Sequence, residues 1–211
     1  MPTNSLGIVI ILISLSGYVS NWLNWRYLNY RLMHLLYYVG AFVHESSHAI
    51  LCLFMGAKIE EYKVLSSQPH VLHRKSKIPL IGEALISFAP ILGGLLFLYL
   101  VNHYALGDYF VASKISDWGS IFTKPFAFLS QLNLLQWQSW IMILLFFNVG
   151  AMLGPSTKDL KNVWFPIILL FFVQSTFFTN IGLMALSLIL TNILIQLFII
   201  LILKIINFLR S

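Results

Sequence analysis

From Leu183 to Leu203 no side chain carries a formal charge, and most of them are Leu or Ile. The hydrocarbon core of a bilayer asks this of a spanning helix, which needs about 20 consecutive apolar residues. The run extends to about Leu209. Others recur at about Leu6–Trp22, Leu32–Met55, Ile81–Val101, Trp140–Leu153 and Val163–Phe178. Lipid offers no hydrogen bonds to the backbone, so segments of this kind are read as helices, which satisfy their own N–H and C=O groups. Composition agrees: 59% of residues are apolar and 9% charged, against roughly 25% charged in a soluble domain. A soluble globular domain, a disordered chain and a coiled coil are excluded. The sequence predicts an all-α, polytopic helical membrane protein with about six transmembrane helices. One membrane-embedded domain is expected over 1–211, with its core at about 32–178 and flanking spans at about 6–22 and 183–209.

The polar stretches have readable roles. Trp22, Trp25, Tyr27 and Tyr30 suit an interfacial aromatic belt. Gly56 suits a helix C-cap. Within the polar segment 57–77, Lys58–Leu65 and His70–His73 predict a small β-hairpin. The long loop 102–138 is expected to hold an interfacial helix. Whether 140–178 is one broken span or two is left open, because a run of about 14 apolar residues is short for a crossing. The formal charge is +6, but the basic residues sit at the ends of apolar runs. The positive-inside bias explains them without a nucleic-acid partner. With six crossings and both termini cytoplasmic, nine basic residues (Lys58, Lys63, Arg74, Lys75, Lys77, Lys158, Lys161, Lys204, Arg210) face four (Arg26, Arg31, Lys114, Lys124). The N-terminus lacks the basic region of a cleavable signal, so the first span is expected to stay as an anchor. A single cysteine, Cys52, excludes an internal disulfide and a cysteine-based metal cluster.

Inside the second span the chain reads His44-Glu45-Ser46-Ser47-His48. On a helix, positions i and i+4 lie about 40° apart on one face, so His44 and His48 can hold one ion together. Neutral imidazole suits Zn²⁺. Glu45, beside the first ligand, suits the general base that activates a water and then returns the proton to a leaving amine. Two histidines and a glutamate in mid-membrane cost several kcal/mol if unpaired, which favours a functional reading over a chance match. A catalytic zinc needs a third protein ligand. Asp108 and Asp117 lie in the long loop, Glu83 opens the third span, and Glu60 and Glu61 lie past the end of the metal helix. His34 falls about 15 Å along the helix from His44, and His70 and His73 belong to the polar segment. Asp159 is the third ligand by elimination, with a helix N-cap carboxylate as its alternative role.

An HExxH inside an apolar span with a later Asp resembles the site-2 protease family of intramembrane zinc metalloproteases. The stretch Gly82–Gly94, with Pro90 and small residues, is similar to the family's third helix. Gly154-Pro155-Ser156-Thr157-Lys158-Asp159-Leu160-Lys161 resembles an SPS-x-x-DLK variant of its aspartate motif. The resemblance covers about 32–178. It implies a zinc endopeptidase held by His44, His48 and Asp159, with Glu45 as catalytic residue and a membrane-spanning or membrane-anchored protein as substrate. The chain departs from the more familiar branch, which carries an Asn and Pro ahead of Leu-Asp-Gly. Ala151 occupies the position of that Asn, and Asn148 is the substitute candidate for orienting substrate or an oxyanion. The length leaves no room for a PDZ module. A polar channel from the cytoplasmic face is expected, and the 57–77 segment could offer an edge strand to an extended substrate. The alternative is a non-proteolytic multi-pass protein that binds or carries a divalent metal. A carrier would spread acidic and His residues over several spans, whereas here they concentrate at one point. Peptidases of the prenyl-protein-processing kind use a Glu from a later helix, and no span after Glu83 contains one.

Overall fold

The computed structural model describes residues 6–27, 37–64, 66, 69–110, 118–154 and 175–210. They are mostly helical. The helices are α1 (Leu6–Tyr27), α2 (Tyr38–Phe54), α3 (Ile81–Leu100, extended by a π-helical turn to Ala105), α4 (Trp118–Ser130), α5 (Trp137–Met152) and α6 (Thr176–Arg210). Strands β1 (Ile59–Lys63) and β2 (His70–His73) lie between α2 and α3. Among the described residues three segments are long and apolar enough to cross a membrane: Leu6–Asn24, Ile81–Ala105 and Thr176–Leu209. At 17 and 16 residues, α2 and α5 are shorter. The start expected for the second span, about Leu32, lies outside the described residues. So does most of the apolar run Val163–Phe178.

Side-chain contacts fix the helix directions. Near the start of α6, Gly182 abuts Val9 and Ile13 of α1. Further along, Ser20 bonds Asn192 and Gln196, and the Lys204 ammonium sits 5.4 Å from the Tyr27 ring centroid. α1 and α6 therefore run parallel. Tyr37 stacks on Phe147, Gly40 abuts the Asn148 carbonyl and His44 bonds Met152, so α2 and α5 are parallel as well. α3 opposes α2, because Met55 pairs with Lys77, His48 with Ile86, and Ser47 with Gly93. Tyr37 also reaches Asn24, while Gly154 abuts Gly17, so α5 opposes α1. In chain order α1, α2, α3, α5 and α6 alternate in direction. The Tyr109 hydroxyl meets Ser139 Oγ at 2.6 Å, so the stretch containing α4 leaves and returns at one end of the bundle.

α2 stops in a Schellman motif. Gly56 takes φ +66°, the Ala57 N–H donates to Cys52 O at 2.8 Å, and the Gly56 N–H donates to Leu53 O at 3.2 Å. This satisfies carbonyls that the helix end leaves open. The chain then turns back along α2. β1 and β2 pair antiparallel, with an irregularity between Ile59 and Glu61. Strand β1 retraces the helix, because the Tyr62 hydroxyl meets Ser46 Oγ at 2.8 Å. Nine helical residues from Ser46 to Met55 cover about 13 Å, which four strand residues from Lys58 to Tyr62 match.

Candidate metal centre

Three helices meet around His44 and His48. Both histidines are 8% exposed. Their close approach rests on glycines at contact points. A Cβ at Gly40 would stand 2.3 Å from the Asn148 carbonyl oxygen, and one at Gly93 would stand 1.9 Å from Ser47 Oγ. Gly40 lets α5 reach the His44 face of α2 one turn before His44. Gly93 lets α3 reach it beside Ser47, whose hydroxyl turns back onto Val43 O at 2.6 Å.

The imidazoles are oriented by main-chain carbonyls. His44 Nδ1 lies 2.7 Å from Met152 O, and His48 Nδ1 lies 2.8 Å from Ile86 O. A carbonyl only accepts, so each Nδ1 must carry the proton and donate it. Each neutral ring then presents an Nε2 lone pair. The two Nε2 atoms face each other at 3.2 Å. Two nitrogens each 2.0–2.1 Å from a tetrahedral zinc would stand about 3.3 Å apart. The pair therefore fits zinc both in tautomer and in spacing. Met152 is the last residue of α5, where carbonyls have no intrahelical partner.

Glu45 is half-buried on the same helix. Asn148 is 1% exposed and lies one turn before Met152. Its Nδ2 donates to Leu144 O at 3.0 Å, and its buried Oδ1 has no partner among the described residues. Its Oδ1 is an acceptor, and Nδ2 carries a second hydrogen beyond the one given to Leu144 O. Asp159 lies outside the described residues, as do His34 and Asp117. Among the described residues no group of three His, Cys, Asp or Glu side chains could hold a metal, so the structure brings together two of the three expected ligands. The rejected candidates have other work. Glu83 accepts the Ser76 N–H at 2.7 Å, and Asp108 pairs with His103 at 3.0 Å. Glu61 bonds Lys63, and it bonds His70 at 3.1 Å. These two partners, Lys63 first, hold its carboxyl below the usual carboxylate range.

Sequence reading missed the two carbonyls and Tyr62. Gly40, four residues before His44 on the metal face, was the available signal for close packing there. No family model, curated protein or solved structure matches this chain.

Proposed function

We propose that the chain is an intramembrane zinc metalloendopeptidase acting on membrane-spanning or membrane-anchored proteins. The observation that carries this reading is the facing pair of Nε2 atoms at 3.2 Å, each on a ring whose Nδ1 is spent on a carbonyl. His44, His48 and Asp159 would hold the ion. Bound zinc supplies a Lewis acid that polarises a peptide carbonyl and acidifies water. Glu45 takes the proton from the attacking water and delivers it to the leaving amine. Strand β1, bonded to the residue after Glu45 through Tyr62 and Ser46, would hold an extended peptide. Such non-helical backbone is tolerated at membrane depth only beside protein or a hydrated cavity. Asn148 offers its Oδ1 to a substrate N–H.

The helix directions support a placement of their own. If the five alternating helices among the described residues are all traverses, the start of α1 and the end of α6 would lie on opposite faces. The sequence expectation was six crossings with both termini cytoplasmic. Seven basic residues then fall between α2 and α3 and between α5 and α6 (Lys58, Lys63, Arg74, Lys75, Lys77, Lys158, Lys161), and six fall on the other side (Arg26, Arg31, Lys114, Lys124, Lys204, Arg210). That division no longer selects an orientation. Accessibility reporters fused to the two ends of the chain decide it, and reporters on the same face reject the five-traverse count.

The enzymatic reading is tested by metal analysis together with cleavage of a model transmembrane substrate. Wild type is expected to hold one zinc and cut. Glu45→Gln should keep the zinc and lose cleavage, and Asp159→Ala should lose the zinc. Cleavage by Glu45→Gln at the wild-type rate overturns the mechanism. Full zinc in Asp159→Ala overturns the third ligand.

A further inference from the structure

The carbonyl that orients His48 sits in the middle of a helix, where it should already be engaged. In an α-helix the C=O of residue i accepts the N–H of residue i+4. For Ile86 that residue is Pro90, inside α3 and buried. Proline has no N–H, so the helical bond that would end on Ile86 O cannot form. His48 Nδ1 sits 2.8 Å from that oxygen. We infer that Pro90 is a positioning residue of the metal centre: by withholding its N–H it reserves the Ile86 carbonyl for His48, which fixes the ring tautomer and aims Nε2 at His44.

Two further observations support this. The other histidine solves the same problem at a helix end, where Met152 O is open because α5 stops. α3 continues past Ile86, so a proline is the means of opening a carbonyl without ending the helix. The approach of α3 is also close enough to use the opened group, since Gly93 abuts Ser47, the residue before His48 on α2. A buried ring whose outer nitrogen shares its acceptor is no longer held to one tautomer. Losing such an outer partner typically weakens a metal site about 10- to 100-fold.

The inference rests on the zinc reading for its purpose but not for its test. Pro90→Ala restores a donor that competes for Ile86 O, and it removes an interior proline, so thermal stability should hold or rise. In metal-free wild-type protein, ¹⁵N spectra of the His48 ring should show protonated Nδ1 and bare Nε2. Pro90→Ala should show a tautomer mixture. A chelator-competition titration should show zinc bound about tenfold more weakly by Pro90→Ala. Pro125→Ala, which removes the proline inside α4, should leave both readouts at the wild-type value. Unchanged His48 tautomers in Pro90→Ala overturn the inference whatever the zinc result. Loss of zinc by wild type itself overturns the metal reading instead.

Discussion

Two polar seams cross this apolar bundle, and they use their hydrogen bonds in opposite ways. Between α1, α6 and the start of α2, Tyr37 donates to Asn24 Oδ1 at 2.6 Å. Gln196 Nε2 donates to Ser20 Oγ at 3.0 Å and to Asn24 Oδ1 at 2.9 Å. Asn192 Nδ2 donates to Ser20 Oγ at 2.8 Å. These donors are spent on side chains inside the seam, and none of the five residues is formally charged. Such a seam holds helices together in lipid. Between α2, α3 and α5 the ring donors of His44 and His48 are spent on main-chain carbonyls instead. This leaves two lone pairs converging on one point. The first seam spends its donors internally and acts as an adhesive, with Asn192 Oδ1 and Gln196 Oε1 unpartnered among the described residues, whereas in the second the donors are drawn outward and two imidazole nitrogens face each other. Burial is similar in both, so donor bookkeeping separates them.

The comparison can be broken most sharply at the glycines. Gly40→Ala places a methyl 2.3 Å from a backbone oxygen, which a side-chain rotation cannot relieve. Overpacking of this kind costs about 1–3 kcal/mol, and the separation of α2 from α5 should abolish stoichiometric zinc binding. Retention of zinc by a folded Gly40→Ala protein would show that the metal pair does not depend on this contact. Gly93→Ala meets the Ser47 side chain at 1.9 Å and should be milder. Adding Ser47→Gly should recover zinc binding, and failure of that rescue would place the fault elsewhere in α3.

Gln196→Leu removes the bonds of Gln196 to Ser20, Asn24 and Tyr37 but touches neither His44 nor His48. It should cost about 0.6–1.7 kcal/mol in thermal or denaturant unfolding and leave zinc stoichiometry unchanged. A loss of zinc would join the two seams that the comparison separates. The smallest effect belongs to Glu61 on the sheet. Its folded pKa is depressed by Lys63 and then His70, so its contribution is present above its unfolded value, about 4.3. That contribution fades as pH falls through the lower folded value. Sheet protection, followed by amide exchange, should weaken over that acid range in wild type. In Glu61→Gln it should lack this pH dependence.

Much of the fold was legible in the chain because lipid-compatible helices need long uncharged runs, and such runs are visible without tertiary information. The polar interval 57–77 stood out for the same reason, although its return along α2 depends on Tyr62 finding Ser46. His44, Glu45 and His48 were legible because they lie on adjacent turns of one helix, within five residues of sequence. Asn148 was singled out by spacing and by the resemblance, and only packing shows that it is buried one turn before Met152 with its Oδ1 unpartnered among the described residues. Helix direction was not legible. Periodicity is the same read in either sense, so the parallel pairing of α1 with α6 emerged only from contacts such as Ser20 with Gln196.

By itself, then, the sequence determined the membrane-compatible helical class and the spacing of His44 and His48 on one helix face, since both are properties of short stretches of chain. The tertiary structure decided which lone pairs those histidines present. That choice rests on Met152 O and Ile86 O, carbonyls 108 and 38 residues away from their imidazole partners. A carbonyl opened by a helix end or a proline becomes an orienting group only when packing brings a ring within hydrogen-bonding reach of it.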